Sequence, residues 1–369
     1  MNDICIVIPY FGKLPAWMPL FINSCIMNST IDFLIITNDN EFETPQAKNI
    51  RVLRWTFSQM QQTIKEKLGA GVRLPRPYKL CDYKPCYGLL FDEYLHGYAY
   101  WGHCDIDTIL GDIRGTVERL DYKRYDRLFT HGHFVIYKNT RSVNTLFSLP
   151  TPTSLPPIMH WDFVDKTSYC CHFDEVGTNL ICSYYGKSFC KEEVSYDVSY
   201  FYEDFRRSGI PLNVKCLITF EEGHLFGYEY DGQTLSRKEY MYVHFMKRQI
   251  GCHDNPTSRF IITHLGFLPL EGDVTPELIH RVVPHSASSH GAPITISRRN
   301  TIRKIWDVFN LDFPVRGCMA LHTIYAIWKS VRWINQEGGD DLYEKSKWFN
   351  GTITAPQLNI RSTTETASE

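Results

Sequence analysis

The chain opens on an unbroken apolar run from Ile4 to Phe11 and repeats the pattern from Phe33 to Thr37, with room for one helix over residues 15–29 between them. Short continuous apolar runs separated by a helix-length segment are what a sheet buried on both faces produces, so the first forty residues predict a βαβ unit. Residues 58–69, SQMQQTIKEKLG, follow a helical period, with Ser58 as the expected cap and Gly69 as the stop. Another helix is expected after Pro85, carrying Leu89, Leu90, Tyr94 and Leu95. Further on, Tyr240, Tyr242 and His244 alternate with Met241 and Val243 as on a strand. Strands alternating with helices predict an α/β class.

Past residue 250 the pattern changes. PHSASSHGAPITISRRN, residues 284–300, reads as a linker. Residues 301–335 then mix Ile302, Trp306, Phe309, Ile327, Trp328 and Trp333 with basic side chains. Two helices are expected there, either covering the main domain or dimerising, or lying on a membrane surface with aromatic and basic faces. The expected layout is a catalytic domain over 1–255, a connecting segment over 256–300, a helical extension over 301–350 and a disordered tail over 351–369. No apolar run is long enough to span a bilayer.

Composition narrows the functional classes. With 369 residues, 43% hydrophobic and 14% aromatic, the chain can bury a full core. A net charge of −2 excludes the broad basic field that captures nucleic acid. Twelve cysteines without a CxxC spacing predict reduced, mostly buried thiols rather than a disulfide framework. The start, MNDICIVIPYFGK, has no basic leader, and a cytoplasmic location is the expectation.

The densest chemistry lies in YWGHCDIDTILGDI, residues 100–113, where Asp105 and Asp107 follow an aromatic strand. Alternate residues at a strand end turn to one side, and a pair of carboxylates there suits Mg²⁺ or Mn²⁺, with substrate phosphates completing the shell. Asp112 is expected to hold the following turn. Ligands of parallel sheets sit beyond the strand carboxyl ends, which would let Tyr10 stack a base and Asp39 hydrogen-bond one, although Asn-Asp after a strand is also ordinary turn chemistry. Lys79, Asp82 and Lys84 lie close together before the helix expected after Pro85, either at the mouth of the site or as a capped surface helix. His244, with Lys247 and Arg248 beyond it, could face a diphosphate; the plainer reading is a core histidine and a solvated exit. His131 and His133 flank Gly132, where a sugar could approach the backbone. A zinc site from His103, Cys104, His131 and His133 matches no standard spacing.

Together, YWGHCDIDTILGDI, the upstream YKLCDYKPCYGLLF, IPYFGK with IITND, and YMYVHFMKR resemble the bacterial GT-A-fold glycosyltransferases of capsule, O-antigen and other surface-glycan clusters, over residues 1–250. The resemblance implies a Rossmann-like nucleotide-diphospho-sugar transferase fold with a C-terminal helical extension. It implies that Asp105 and Asp107 are the DXD pair holding Mn²⁺ or Mg²⁺, with His244 as a further ligand. Lys247 and Arg248 would lie near the diphosphate, and Asp82 and Lys84 near the donor sugar. The implied partners are a UDP- or GDP-sugar donor and a glycan or lipid-linked glycan acceptor, with peripheral membrane association and a homodimer both open. A general base would come from Glu175 or Asp174, or from the competing pair Glu203 and Asp204; either pair could equally be helix caps. The alternatives are a nucleotidyltransferase or phosphohydrolase, which needs a second ligand cluster, and a glycan-binding protein without catalysis.

Overall fold

The computed structural model describes residues 2–151, 157–199, 204–207, 209–246, 250–251 and 258–283. The expected linker, C-terminal helices and tail, together with Glu203, Lys247 and Arg248, lie outside the described residues.

The chain is a mixed α/β fold with a parallel sheet at its centre. β1 (Ile4–Tyr10), β2 (Asp32–Thr37), β3 (Ile50–Arg54) and β4 (Tyr100–Cys104) pair in parallel in the order β3-β2-β1-β4. β5 (Thr108–Leu110) leaves this sheet, while β6 (Arg127–Leu128), β7 (Phe134–Lys138) and β8 (Phe189–Cys190) extend it as β4-β7-β6-β8 with β7 antiparallel to both neighbours. The chain winds outward in both directions from between β1 and β4, so the crevice of an open sheet lies beyond their carboxyl ends.

Burial on both faces explains the apolar runs. Ile4, Ile6 and Ile8 join one core layer with Leu20, Phe21 and Cys25 of helix α1 (Met18–Met27), and Cys5 and Val7 join the other with Met60 and Ile64 of helix α2 (Phe57–Leu68). The expected βαβ unit is therefore present. The cap of α2 is Thr56 rather than Ser58: its hydroxyl accepts from Gln59 N while Gln59 Oε1 accepts from Thr56 N, a reciprocal box that Ser58, already inside the helix, cannot form. Gly69 ends α2 as expected. The single helix expected after Pro85 is a 3₁₀ segment, Pro77–Cys86, followed by short helices Tyr87–Leu90 and Asp92–Leu95.

Two further sheets complete the body. A three-stranded sheet places β13 (Tyr242–His244) between β5 and β9 (Ser195–Asp197), so that His244 stands opposite Thr108 on one side and Asp197 on the other. A five-stranded antiparallel sheet comprises β10 (Lys215–Glu221), β11 (His224–Tyr230), β12 (Leu235–Tyr240), β14 (Arg259–Thr263) and β15 (Gly266–Pro269). It crosses residue 255 through the β10 to β14 pairing, and Ile279 and Val283 pack on its Leu217 and Ile261, so this body runs on to Val283. The ten described cysteines are free, and all but Cys81 are buried. Among the described residues, no helix is long and apolar enough to cross a membrane.

Candidate functional site

β4 reaches the crevice because Gly102 lets it lie against β7: a Cβ there would sit 2.5 Å from Val135 O. Trp101 anchors the same strand, stacked on Tyr137 and donating from its indole to Asn144 Oδ1 at 2.7 Å. Beyond Cys104 the backbone is tied down on every side. Asp105 N donates to His133 O, Trp17 Nε1 to Ile106 O, and Phe245 N to Asp107 O, at 2.8 to 2.9 Å. Asp112 caps the helix Ile113–Arg119 through Gly115 N, the turn role expected of it.

This frame turns Asp105, Asp107 and His244 to one place, each offering a ligand atom within 4.8 Å of the others. His244 Nε2 is 3.5 Å from Asp107 Oδ2, and Nδ1 is 2.9 Å from Asp197 Oδ1. Although burial opposes it, these two carboxylates raise the imidazole pKa to about 10. Burial raises the Asp105 carboxyl, against the pull of Lys84.

Lys84 closes the other side. Its ammonium meets Asp105 Oδ1 at 2.7 Å, Asp174 Oδ2 at 3.1 Å and Gly132 O at 2.7 Å. Gly132 makes room for this contact, because a Cβ there would fall 2.3 Å from Asp174 Oδ2. Lys79 and Asp82, expected at the site, lie wholly buried behind it. Lys79 Nζ donates to Asp82 Oδ2, Val164 O and Tyr169 O, while Asp82 accepts from Cys171 N and Phe173 N. The pair thereby holds the turn through His172 (φ 55°) that delivers Asp174 to Lys84. Both side chains are fully enclosed, so the structure places Lys79 and Asp82 behind the crevice in which they were expected as cofactor-contacting residues.

Asp174 and Glu175 sit in different fields. Burial lifts Asp174 to about 7 despite Lys84, whereas Glu175, against the push of burial, is lowered by His131 and by the Gly132 N–H that it accepts at 2.8 Å. Asp204 is elsewhere. Its carboxylate grips Arg206 in a bidentate pair, and it lines a small cleft with Cys216 and Thr263 against the five-stranded sheet. None of the described ligand groups at Asp105 includes it.

Three imidazoles stack through the site: His131 on His133 with centroids 5.0 Å apart, and His133 on His244 at 4.0 Å. Tyr242 OH meets His133 Nδ1 at 2.8 Å, and His131 Nε2 meets Glu193 Oε2 at 2.7 Å. Burial, then His244 and His131, push His133 well below the ordinary histidine range. The quartet with His103 and Cys104 does not assemble, since His103 is enclosed beside Tyr87 and Tyr137 and Cys104 belongs to the opposite core layer. At the carboxyl end of β1, burial and then Asp107 and Asp39 raise the Tyr10 phenol. Asp39 accepts from Leu14 N and Glu41 N, which is turn chemistry tying the loops after β1 and β2 together.

Asp197 and Glu193 escaped the sequence reading. Nothing local marks them, because each reaches its histidine only through pairing between distant segments. The sequence family described as "Family of unknown function (DUF6625)" matches residues 6–271. No curated protein matches the chain. Among solved structures, that of the galactosyltransferase LgtC in complex with donor and acceptor sugar analogues aligns with 53% of this chain and 75% of its own, at 11% identity and a TM-score of 0.33.

Proposed function

The chain belongs to that family of unknown function, and from this premise we propose that it is a metal-dependent glycosyltransferase of the GT-A type, moving a sugar from a nucleoside diphosphate to a glycan hydroxyl. The observation that carries the reading is the convergence of Asp105, Asp107 and His244 beyond the carboxyl end of β4, in the crevice between β1 and β4. Two carboxylates and an imidazole suit Mn²⁺ or Mg²⁺, which would supply a Lewis acid that offsets charge on a departing diphosphate.

The protein's own groups would do the rest. Asp197 on Nδ1 directs His244 Nε2 at Asp107, and Lys84 holds Asp105 in place. Tyr10, close to Asp107, is the stacking surface for the base. Asp174 has the proton affinity a general base needs near neutral pH, and Glu175, more exposed but held ionised, is suited to orient an acceptor hydroxyl. Lys247 and Arg248, carried from the resemblance, would flank the diphosphate. A UDP- or GDP-sugar donor, a surface-glycan or lipid-linked acceptor, and action in the cytoplasm or at the inner membrane face belong to the same proposal.

Calorimetric titration of UDP, GDP, CDP and CMP, with and without Mn²⁺, tests it on the wild type and Asp107→Ala. One nucleoside diphosphate should bind tightly, and removal of either the metal or Asp107 should weaken it at least about tenfold. Metal-independent binding, or none in folded protein, sinks the proposal. One observation favours a second reading as phosphohydrolase or nucleotidyltransferase: His131, His133 and Glu175 form a neighbouring ligand group, as two-metal phosphoryl chemistry requires. Cleavage at phosphorus, giving a nucleoside monophosphate rather than a diphosphate, would establish that reading.

A further inference from the structure

We propose that His131, His133 and Glu175 form a second cation site, distinct from the Asp105, Asp107 and His244 group and suited to a borderline transition metal such as Zn²⁺. Their ligand atoms lie within 4.8 Å of one another. His131 Nδ1 and Glu175 Oε1 are 3.8 Å apart, too far for a hydrogen bond but within the span of two ligands each about 2.1 Å from a shared ion. Two imidazoles and one carboxylate are the donor set of open catalytic zinc sites, whereas the neighbouring group, with two carboxylates, is the harder of the two.

The surroundings carry the argument further than the ligand count. Histidines that bind metal have their second nitrogen held by a carboxylate, a carbonyl or another polar group, which orients the ring. Both histidines here have such support: His131 Nε2 meets Glu193 Oε2 at 2.7 Å, and His133 Nδ1 meets Tyr242 OH at 2.8 Å. Glu193 is itself fixed by Ser195, whose backbone N–H and hydroxyl both donate to its Oε1. Glu175 is steadied by Gly132 N. A simple ion pair of His131 between Glu175 and Glu193 accounts for two of these contacts. It does not account for a second, buried imidazole lying parallel at 5.0 Å with its own rear partner.

The site stands next to the first one through the His133 and His244 stack, yet its ligands are separate, so the two ions can be assayed apart. The full chain is stripped with chelator and titrated with Zn²⁺ by calorimetry, and Co²⁺ is added to a parallel sample to read the ligand-field spectrum. Wild type is expected to bind Zn²⁺ with a four-coordinate Co²⁺ spectrum, and Asp107→Ala to keep that affinity. His131→Asn should weaken Zn²⁺ at least about tenfold, and Glu193→Gln about 10- to 100-fold, the range for losing an outer partner. Glu193 is half exposed, so its variant reports even if His131→Asn fails to fold. The proposal is overturned if Glu193→Gln, or a folded His131→Asn, leaves Zn²⁺ affinity unchanged, if Asp107→Ala abolishes it, or if folded wild type binds none. Mn²⁺-dependent nucleotide binding, measured on the same samples, separates failure of this site from failure of the transferase reading.

Discussion

Lys79 and Lys84 stand five residues apart in one 3₁₀ segment, and each meets an aspartate at 2.7 Å. The first pair closes on itself. Lys79 and Asp82 are both wholly buried, their charges cancel, and the remaining protons and lone pairs go to backbone groups of the 164–173 segment. The second does not close, because Lys84 serves both Asp105 and Asp174, and Asp107 stands beside them. Lys84 and the His244 imidazolium against Asp105, Asp107, Asp174 and Asp197 still leave surplus negative charge, and 35% of the Asp105 side chain remains exposed at the rim. A balanced, enclosed pair is architecture, whereas an unbalanced, open one is a place for a cation to bind.

The contrast can be broken most sharply at Asp82. Asp82→Ala strands a buried ammonium and is expected to cost about 3–5 kcal/mol, read as a lowered midpoint in urea unfolding. The double variant Lys79→Met/Asp82→Leu should recover most of that loss. If it is no more stable than the single variant, the pair does more than balance itself.

At Lys84 the expected loss is smaller, about 1–3 kcal/mol for Lys84→Met, because Asp105 lies at the rim and the buried Asp174, already lifted to about 7, readily takes up a proton. The proposed transfer activity should fall far more than stability, and the reverse order would make Lys84 a second Lys79. The same region carries a pH signature. Burial holds Asp174 at about 7 against 3.8 for an ordinary aspartate, so the unfolded chain releases that proton first. Between those values the native state binds more protons, and stability contributed at this position falls as pH rises from about 4 to about 7, then levels. The stability difference between wild type and Asp174→Asn, followed by urea unfolding across this range, should show that slope. A flat difference would mean that the carboxyl is not held up.

The smallest effect lies away from both pairs. Thr56→Ala removes the cap of α2 and should cost about 1 kcal/mol in thermal unfolding while nucleotide binding is unchanged. A loss of binding there would show that α2 is coupled to the crevice and would blur the division between framework and site.

Much of the framework was legible because it is encoded over a few neighbouring residues. Continuous apolar runs marked β1 and β2, Gly69 marked the end of α2, and the aromatic approach to Asp105 marked the end of a buried strand. The cap of α2 was expected at Ser58 and lies at Thr56, because either hydroxyl can cap until the first helical residue is known. Lys79 and Lys84 defeated local reading for a different reason. Both lie within three residues of Asp82 and both end up buried, and what separates them, a closed pair with Asp82 against a cluster with Asp105 and Asp174, depends on contacts with the 164–174 segment some 85 to 90 residues further along.

What the sequence by itself determined, then, is the parallel α/β body, the strand end that carries Asp105 and Asp107, and the turn held by Asp112. Only the tertiary structure decided which charges face one another. Asp197 stands 47 residues before His244 and meets it through the parallel pairing of β9 with β13, and Glu193 reaches His131 across 62 residues. Periodicity reports which face of an element is apolar, because that is settled within a turn or a strand. The neighbour a side chain finds there depends on sheet pairing between distant segments, which no short stretch of residues contains.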